Sequence, residues 1–109
     1  MTPAAFRTLA LALDGASEGA HGGHPDFRSS AGKVFATMGY PDKGWAMVKL
    51  TPDQQEMLCA AEPEIFRPVK GNWGLHGATN LSLAAADART VCSALAMALK
   101  NVTEKKKKP

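Results

Sequence analysis

The sequence has little of what several classes of protein require. Its two cysteines, Cys59 and Cys92, are too few for the disulfide scaffold of a small secreted domain. No apolar run approaches the roughly 18 residues of a membrane-spanning helix, and the run at residues 9–13 is too short for a secretory signal. We therefore expect a cytoplasmic protein with no membrane partner, whose two cysteines are reduced and buried in helical apolar stripes.

Most of the chain also lacks a surplus of charge. Residues 1–103 hold nine Lys/Arg and nine Asp/Glu, so their net charge is zero. The net charge of +3 comes entirely from residues 104–109, where one glutamate precedes four lysines. We predict a single domain over residues 1–103, since domains typically have about 100–150 residues, and a disordered Lys-rich tail over residues 104–109. A neutral domain binds phosphates well only where its cations cluster.

The signatures of common enzymes are missing as well. The sequence has no nucleophile-elbow, zinc-protease, phosphate-loop or paired-cysteine motif. Gly71, Gly74 and Gly77 imitate the spacing of a phosphate loop, but the next predicted element is a strand rather than a helix. Trp73 in this loop either packs in the core, the commoner outcome for tryptophan, or faces a ligand or partner. We predict a non-enzymatic protein with no catalytic residues and no cofactor.

Helix-like and strand-like periodicities occupy separate blocks of the chain. Residues 3–14 have the apolar spacing of an amphipathic helix, and four short strand-like segments follow between residues 17 and 50. Short connections, such as the turn at Gly22-Gly23, force these strands into an antiparallel meander.

The second helix has the clearest start signal in the sequence. Thr51 is a predicted N-cap, Pro52 suits the first helical turn and Gln54 completes a capping box. Two further strands are predicted between residues 66 and 83, before a last helix that Asp87 caps. This order predicts an α+β fold, in which an antiparallel sheet of a four-stranded meander plus two further strands packs on helices.

Regular strand alternation predicts which residues lie on the sheet face that the helices leave uncovered. It directs Lys33 and Phe35 of the third strand, and Trp45, Met47 and Lys49 of the fourth strand, to that face. In a nucleic-acid interface, the cations contact phosphates while the aromatic rings stack on bases. The candidate nucleic-acid-binding residues are Arg28, Lys33, Phe35, Trp45, Lys49 and Lys70.

The same face has a second interpretation. The lysine stems then cover apolar surface and keep the sheet soluble. The face would bind a protein partner or a small ligand, with no nucleic acid involved. A cluster of positive charge favours the first interpretation, whereas an apolar patch of several hundred Å² favours the second.

Two histidines flank the glycine turn of the first predicted hairpin. His21 and His24 face each other across that hairpin, close enough to share a metal ion. A metal site needs further ligands, and only Asp26, Glu18 and His76 are available. Local hydrogen bonding is the favoured interpretation, and no metal is predicted.

An ordered set of short motifs extends over most of the chain. The motifs are His24-Pro25-x-Phe27-Arg28, Gly32-Lys33-x-Phe35-Ala36, Trp45, Lys49-Leu50-Thr51-Pro52, Glu62-Pro63, Phe66-Arg67-Pro68 and Trp73-Gly74. Together they cover roughly residues 5–102 and resemble the MmcQ/YjbR family of small bacterial proteins. One departure is Ala78, which stands where many members of that family have a tryptophan.

The resemblance implies a fold and a function. The implied fold is a small α+β domain, similar to frataxin-like and secretion-chaperone-like proteins. The implied function is DNA binding through a double wing of β-structure, with no established enzymatic chemistry. A DNA-binding protein is therefore the first expectation, and a protein-interaction or small-ligand module is the alternative.

Overall fold

The computed structural model describes residues 1–40 and 42–103, which form four helices and six strands. In chain order, the elements are α1 (Pro3–Leu11), β1 (Ser17–His21), β2 (His24–Arg28), β3 (Val34–Met38), β4 (Trp45–Lys49), α2 (Pro52–Ala61), β5 (Phe66–Pro68), α3 (Asn72–Leu75), β6 (Ala78–Ser82) and α4 (Ala88–Thr103). The lysine-rich tail predicted at residues 104–109 lies outside the described residues.

All six strands form one antiparallel sheet in the order β1-β2-β3-β4-β6-β5. The first four strands are the predicted meander, and its first turn has the positive φ angles expected at Gly22 and Gly23. β6 then pairs with β4, which leaves β5 at the outer edge, where Pro68 is tolerated. The predicted α+β fold is confirmed.

The main core lies between the sheet and the two terminal helices. α4 buries the predicted stripe of Val91, Leu95 and Ala98. α1 contributes Phe6, whose ring packs edge-on against Phe27 of β2 with 5.9 Å between centroids. The opposite surface of the sheet faces away from α1 and α4, and we call it the open face.

The two cysteines are free, but only one of them is partly buried. Cys59 of α2 is half-buried, and burial raises the pKa of its thiol. Cys92 is exposed, so the prediction that both cysteines are buried is wrong. Cys92 directly follows Val91, the first buried residue of the α4 stripe. Because consecutive side chains of a helix point about 100° apart, Cys92 points away from the core.

A β-bulge between β2 and β3 breaks the predicted alternation. Phe27 pairs with Ala36 and Arg28 pairs with Val34, so Phe35 is an extra residue in β3. As a result Phe35 is fully buried in the main core, while Val34 lines a cavity on the open face together with Arg28. The prediction that Phe35 lies on the uncovered face is therefore wrong.

The start of α2 is confirmed in detail. Thr51 Oγ1 accepts a hydrogen bond from the backbone N–H of Gln54 at 3.1 Å, and Gln54 Oε1 accepts one from the backbone N–H of Thr51 at 2.9 Å. This is the predicted capping box, with Pro52 in the first turn. The helix ends at Ala61, two residues before Pro63.

Replacing Thr51 with alanine is expected to lower the free energy of unfolding by about 1 kcal/mol, because the Gln54 N–H loses its acceptor. The corresponding fall in Tm is about 4–8 °C for a domain of this size. Thermal unfolding followed by circular dichroism measures it. Thr8→Ala in the exposed middle of α1 is the control, with little expected change, because alanine is the better helix former. Equal Tm values for Thr51→Ala and the wild type would contradict the assigned cap.

Candidate functional site

One row of side chains crosses the open face from strand to strand. The ladder pairs Asp26 with Thr37, Thr37 with Met47, Met47 with Asn80 and Asn80 with Arg67. Since side chains directly opposite each other in a ladder project to the same side, all five lie on the open face. The row is polar at most positions, although much of it is buried.

A buried carboxylate anchors one end of this row. The side chain of Asp26 is fully buried and accepts hydrogen bonds from Arg28 Nε at 2.8 Å and Arg28 Nη2 at 3.1 Å. His21 Nδ1 donates a third at 2.5 Å, which confirms local hydrogen bonding for this histidine. The hydrogen bonds from Arg28 hold the pKa of Asp26 below its usual value, against the opposing effect of burial, and His21 lowers it further.

Gly19 makes room for this ion pair. A Cβ atom at Gly19 would lie 2.8 Å from Arg28 Nε and 3.0 Å from Asp26 Oδ1. The guanidinium and the carboxylate therefore lie close against the backbone of β1 at Gly19. The arrangement fixes Arg28 at the border of the open face, with its side chain 37% exposed.

Two adjoining cavities form a cleft on the open face. Their volumes are about 320 and 280 Å³. Both are lined by His21, Thr37, Met47 and Trp73. The first also reaches Lys70, and the second also reaches Arg28 and Lys49. The cleft therefore has a floor of buried strand residues and a rim of cations.

Trp73 stands at the rim on the short helix α3. Its side chain is 56% exposed, so the interpretation of Trp73 as a core residue is wrong. The next residue of α3, Gly74, must be glycine because the helix passes close to the backbone of Val69. A Cβ at Gly74 would lie 1.7 Å from the carbonyl oxygen of Val69. Gln55 of α2 fastens the same segment by donating to the carbonyl oxygens of Gly74 and Ala78 at 3.0 and 2.9 Å.

Two buried oxygens of the central row have no hydrogen-bond partner within the described residues. They are Thr37 Oγ1 and Asn80 Oδ1, which lie on either side of Met47 in the ladder. Thr37 is 2% exposed and its side chain lines both cavities of the cleft. Buried hydroxyls are almost always paired with protein groups or ordered water, so this hydroxyl is a polar group beneath the cleft whose partner is not another described residue.

A third cavity, of about 390 Å³, lies on the other side of Trp73, beside the end of α4. Two of the polar side chains in its wall, Asn101 and His76, are already engaged, and its remaining cation, Lys49, is shared with the cleft. Asn101 donates to Gln54 Oε1 at 2.8 Å and to the carbonyl oxygen of Lys49 at 3.0 Å, and His76 Nδ1 donates to the carbonyl oxygen of Asn72 at 2.8 Å. This cavity lacks the free buried hydroxyl that distinguishes the cleft.

Three of the six predicted nucleic-acid-binding residues line the cleft, namely Arg28, Lys49 and Lys70. Trp45 lies on the open face but outside the cleft. It is half-buried, and the guanidinium carbon of Arg67 lies 5.3 Å from its ring centroid. The indole face is thus engaged by a cation of the same chain.

The other two predicted residues are elsewhere. Phe35 is in the core, as the bulge requires. Lys33 is exposed in the turn before β3 and lines neither cavity of the cleft. Regular alternation had assigned Lys33 and Phe35 to the open face. Val34, which lies between them in the sequence, is the residue found there.

Sequence reasoning missed the contribution of Thr37 and left open whether Trp73 packs in the core or faces a ligand or partner. Thr37 lies in an otherwise apolar strand, and nothing in the sequence distinguishes a buried threonine that is paired from one that is not. Trp73 did carry a signal, because it is a lone large aromatic in a loop of glycines and polar residues. Such a loop offers little apolar surface to bury it.

The motif residues of the resemblance divide between the core and the open face. Phe27 is buried in the core, whereas His24 lines the cleft with its ring edge-on to Tyr40 at 6.1 Å. Pro25 is half-buried beside them, and Gly32 occupies the turn before β3 with a φ of +83°. No group of three or more metal-ligating side chains occurs in the part of the chain that the structure describes. Among the described helices, none has the length and apolarity needed to cross a bilayer.

The observed architecture is that of a small α+β domain, with the two terminal helices on one side of a six-stranded sheet and, on the other side, a cleft with α3 at its rim. The chain belongs to the YjbR family, whose model matches residues 11–104. The fold is similar to that in the crystal structure of Deinococcus radiodurans protein DR2400, which carries the domain DUF419. The TM-score is 0.76 at 19% sequence identity, and the match covers 95% of this chain and 80% of that one. Among curated proteins, no sequence matches this chain.

Proposed function

We propose that this YjbR-family chain is a nucleic-acid-binding protein whose open face contacts DNA. The observation that supports the proposal is the distribution of charge around the sheet. Arg28, Lys49 and Arg67 lie on the open face, and Lys70 lines the cleft beside them. Asp26 is the only carboxylate among the described strand residues of that face, and it is fully buried and paired.

Three other carboxylates, those of Glu18, Asp53 and Glu56, do not project from the strands onto the open face. Glu18 projects to the helical side of the sheet, where it forms an ion pair with Arg7 of α1 at 2.9 Å. Asp53 and Glu56 are exposed on α2. Among the described strand residues, the open face therefore carries more accessible cations than carboxylates, which supports the clustering of cations that phosphate binding requires.

The cations that line the cleft lie on the sheet surface rather than at the tip of the first hairpin. The tip of the β1–β2 hairpin consists of Gly22 and Gly23 between His21 and His24 and holds no lysine or arginine. This favours contact with phosphates across the open face over insertion of that wing into a DNA groove. The proposed activity is binding alone, with no reaction attached to it.

Two charge-matched double variants of the full chain test the proposal. Lys49→Ala with Lys70→Ala removes two cations of the cleft, and Arg89→Ala with Lys100→Ala removes two exposed cations of α4. In fluorescence anisotropy titrations of labelled DNA, the first pair should weaken binding and reduce the slope of log K against log salt. Each lost phosphate contact lowers the magnitude of the slope by about 0.7 for single-stranded DNA and about 0.9 for duplex DNA. The loss of two contacts should therefore lower it by about 1.4–1.8.

The control pair should change the slope much less, although both double variants lower the net charge equally. Equal losses in the two double variants would contradict the proposal. They would indicate that binding follows net charge, or the four lysines at residues 105–108, rather than the open face. No measurable binding of DNA to the wild-type chain would also contradict it.

A further inference from the structure

The shape of the open face restricts what kind of nucleic acid fits it. Each cavity of the cleft measures about 300 Å³, the lower end of the range found for small-molecule sites. A concave site of this size holds one ring system with its substituents. The base pairs of an intact duplex are stacked inside the helix, so none of them can enter such a cleft.

The cleft presents a separate contact for each part of a nucleotide. At the rim, the exposed indole of Trp73 provides a flat surface on which a base of any sequence can stack. On the floor, Thr37 has a buried hydroxyl with no partner among the described residues, and a hydroxyl can both donate and accept hydrogen bonds once the edge of a base reaches it. Arg28 and Lys49 line one cavity of the same cleft, and Lys70 lines the other.

The cations retain binding capacity for a phosphate. The guanidinium of Arg28 has five N–H donors, and its bonds to Asp26 come from Nε and Nη2. Within the described residues, none of the ion pairs involves Lys49 or Lys70. A phosphate at the rim can therefore accept hydrogen bonds from these cations without displacing an existing partner.

We propose that the cleft is a binding site for one unstacked nucleotide, with the base on Trp73 and Thr37 and the phosphate on Arg28, Lys49 and Lys70. The proposal rests on nucleic-acid binding by the open face and names the ligand chemistry of that same site. Two sources present this chemistry: a free nucleoside monophosphate and a single-stranded segment of DNA or RNA. The protein should therefore prefer single strands to duplex.

The test titrates the full-length chain with uridine monophosphate, uridine, ribose 5-phosphate, a short oligothymidylate and a duplex of equal length. Calorimetry gives the affinities, and tryptophan fluorescence locates the base. Because the chain has two tryptophans, Trp45→Phe and Trp73→Phe are a matched pair. Quenching by the monophosphate and the oligonucleotide should persist in Trp45→Phe and disappear in Trp73→Phe.

Two further variants separate recognition from stability. Trp73→Ala should weaken binding of the oligonucleotide by about 5- to 150-fold, the equivalent of one lost stacking contact. Thr37→Val should weaken it by about 2- to 13-fold, the equivalent of one hydrogen bond. Since the hydroxyl of Thr37 has no partner among the described residues, the same substitution should leave Tm unchanged or raise it. A purely structural role for Thr37 would instead lower Tm.

The outcomes distinguish this proposal from the more general one. Equal binding of duplex and single strand, with no effect of Trp73→Ala or Thr37→Val, would overturn the nucleotide site and leave nucleic-acid binding by the open face intact. Binding of the monophosphate without binding of either oligonucleotide would support the nucleotide site and contradict nucleic-acid binding. Failure of all five ligands to bind would contradict both.

Discussion

Replacing Phe35 with alanine is expected to lower the free energy of unfolding by about 3–5 kcal/mol. The ring is fully buried in the main core between the sheet and the helices, so its removal leaves a cavity as well as losing apolar contact. Small domains are stable by only about 5–15 kcal/mol, so the variant loses a large part of its stability. Urea denaturation measures the loss as a shift of the midpoint at constant slope.

Two controls show whether burial is the cause. Phe35→Leu keeps most of the apolar volume and should cost less than about 1.5 kcal/mol. Lys33→Ala, two residues earlier and exposed, should stay within about 0.5 kcal/mol of the wild type. A Phe35→Ala variant that is as stable as the wild type but binds DNA poorly would show that the ring faces outward and that the bulge is wrong.

Replacing Asp26 with asparagine is expected to lower the free energy of unfolding by about 2 kcal/mol. The buried carboxylate accepts charge-assisted hydrogen bonds from Arg28 and His21, and such bonds contribute about 1.5–3 kcal/mol each. The total stays below a sum of these values because Arg28 is partly exposed and regains solvation when its partner is lost. Glu18→Gln is the matched control, since its ion pair with Arg7 is exposed and contributes about 0.2–1 kcal/mol.

The loss at Asp26 should depend on pH in a defined direction. Arg28 lowers the pKa of Asp26 in the folded state. As the pH falls below about 4, Asp26 is therefore protonated in the unfolded chain before it is protonated in the folded chain. The stabilisation is complete above that pH and is lost as the pH falls toward the folded-state value. Urea midpoints of wild type and Asp26→Asn should therefore differ most near neutral pH and converge in acid. A difference that grows as the pH falls would contradict the assigned ion pair.

The parts of the fold that the sequence predicted have local causes. The start of α2 depends on Thr51, Pro52 and Gln54, which are adjacent and satisfy each other's backbone groups. The first hairpin depends on Gly22 and Gly23, which adopt positive φ angles at little steric cost. The overall α+β class followed from the order of such local elements.

The parts that could not be predicted depend on contacts between distant segments. The bulge that buries Phe35 is a property of the pairing between β2 and β3, and alternation within β3 alone gives the opposite face. The cleft exists because β6 pairs with β4, while α3 approaches the sheet at Gly74 and raises Trp73 to the rim. Half of the predicted cations and aromatics therefore lie in the cleft, and the rest do not.

The central claim is that the open face is the ligand-binding surface of this domain. Backbone amide and indole N–H chemical shifts, followed by NMR during titration with a short single-stranded oligonucleotide, test it most directly. We predict the largest changes at Thr37, Met47 and Lys49 and at the indole of Trp73, with α1 and the exposed side of α4 unaffected. Changes confined to α4 and to the lysines at residues 105–108, with the cleft silent, would contradict the claim.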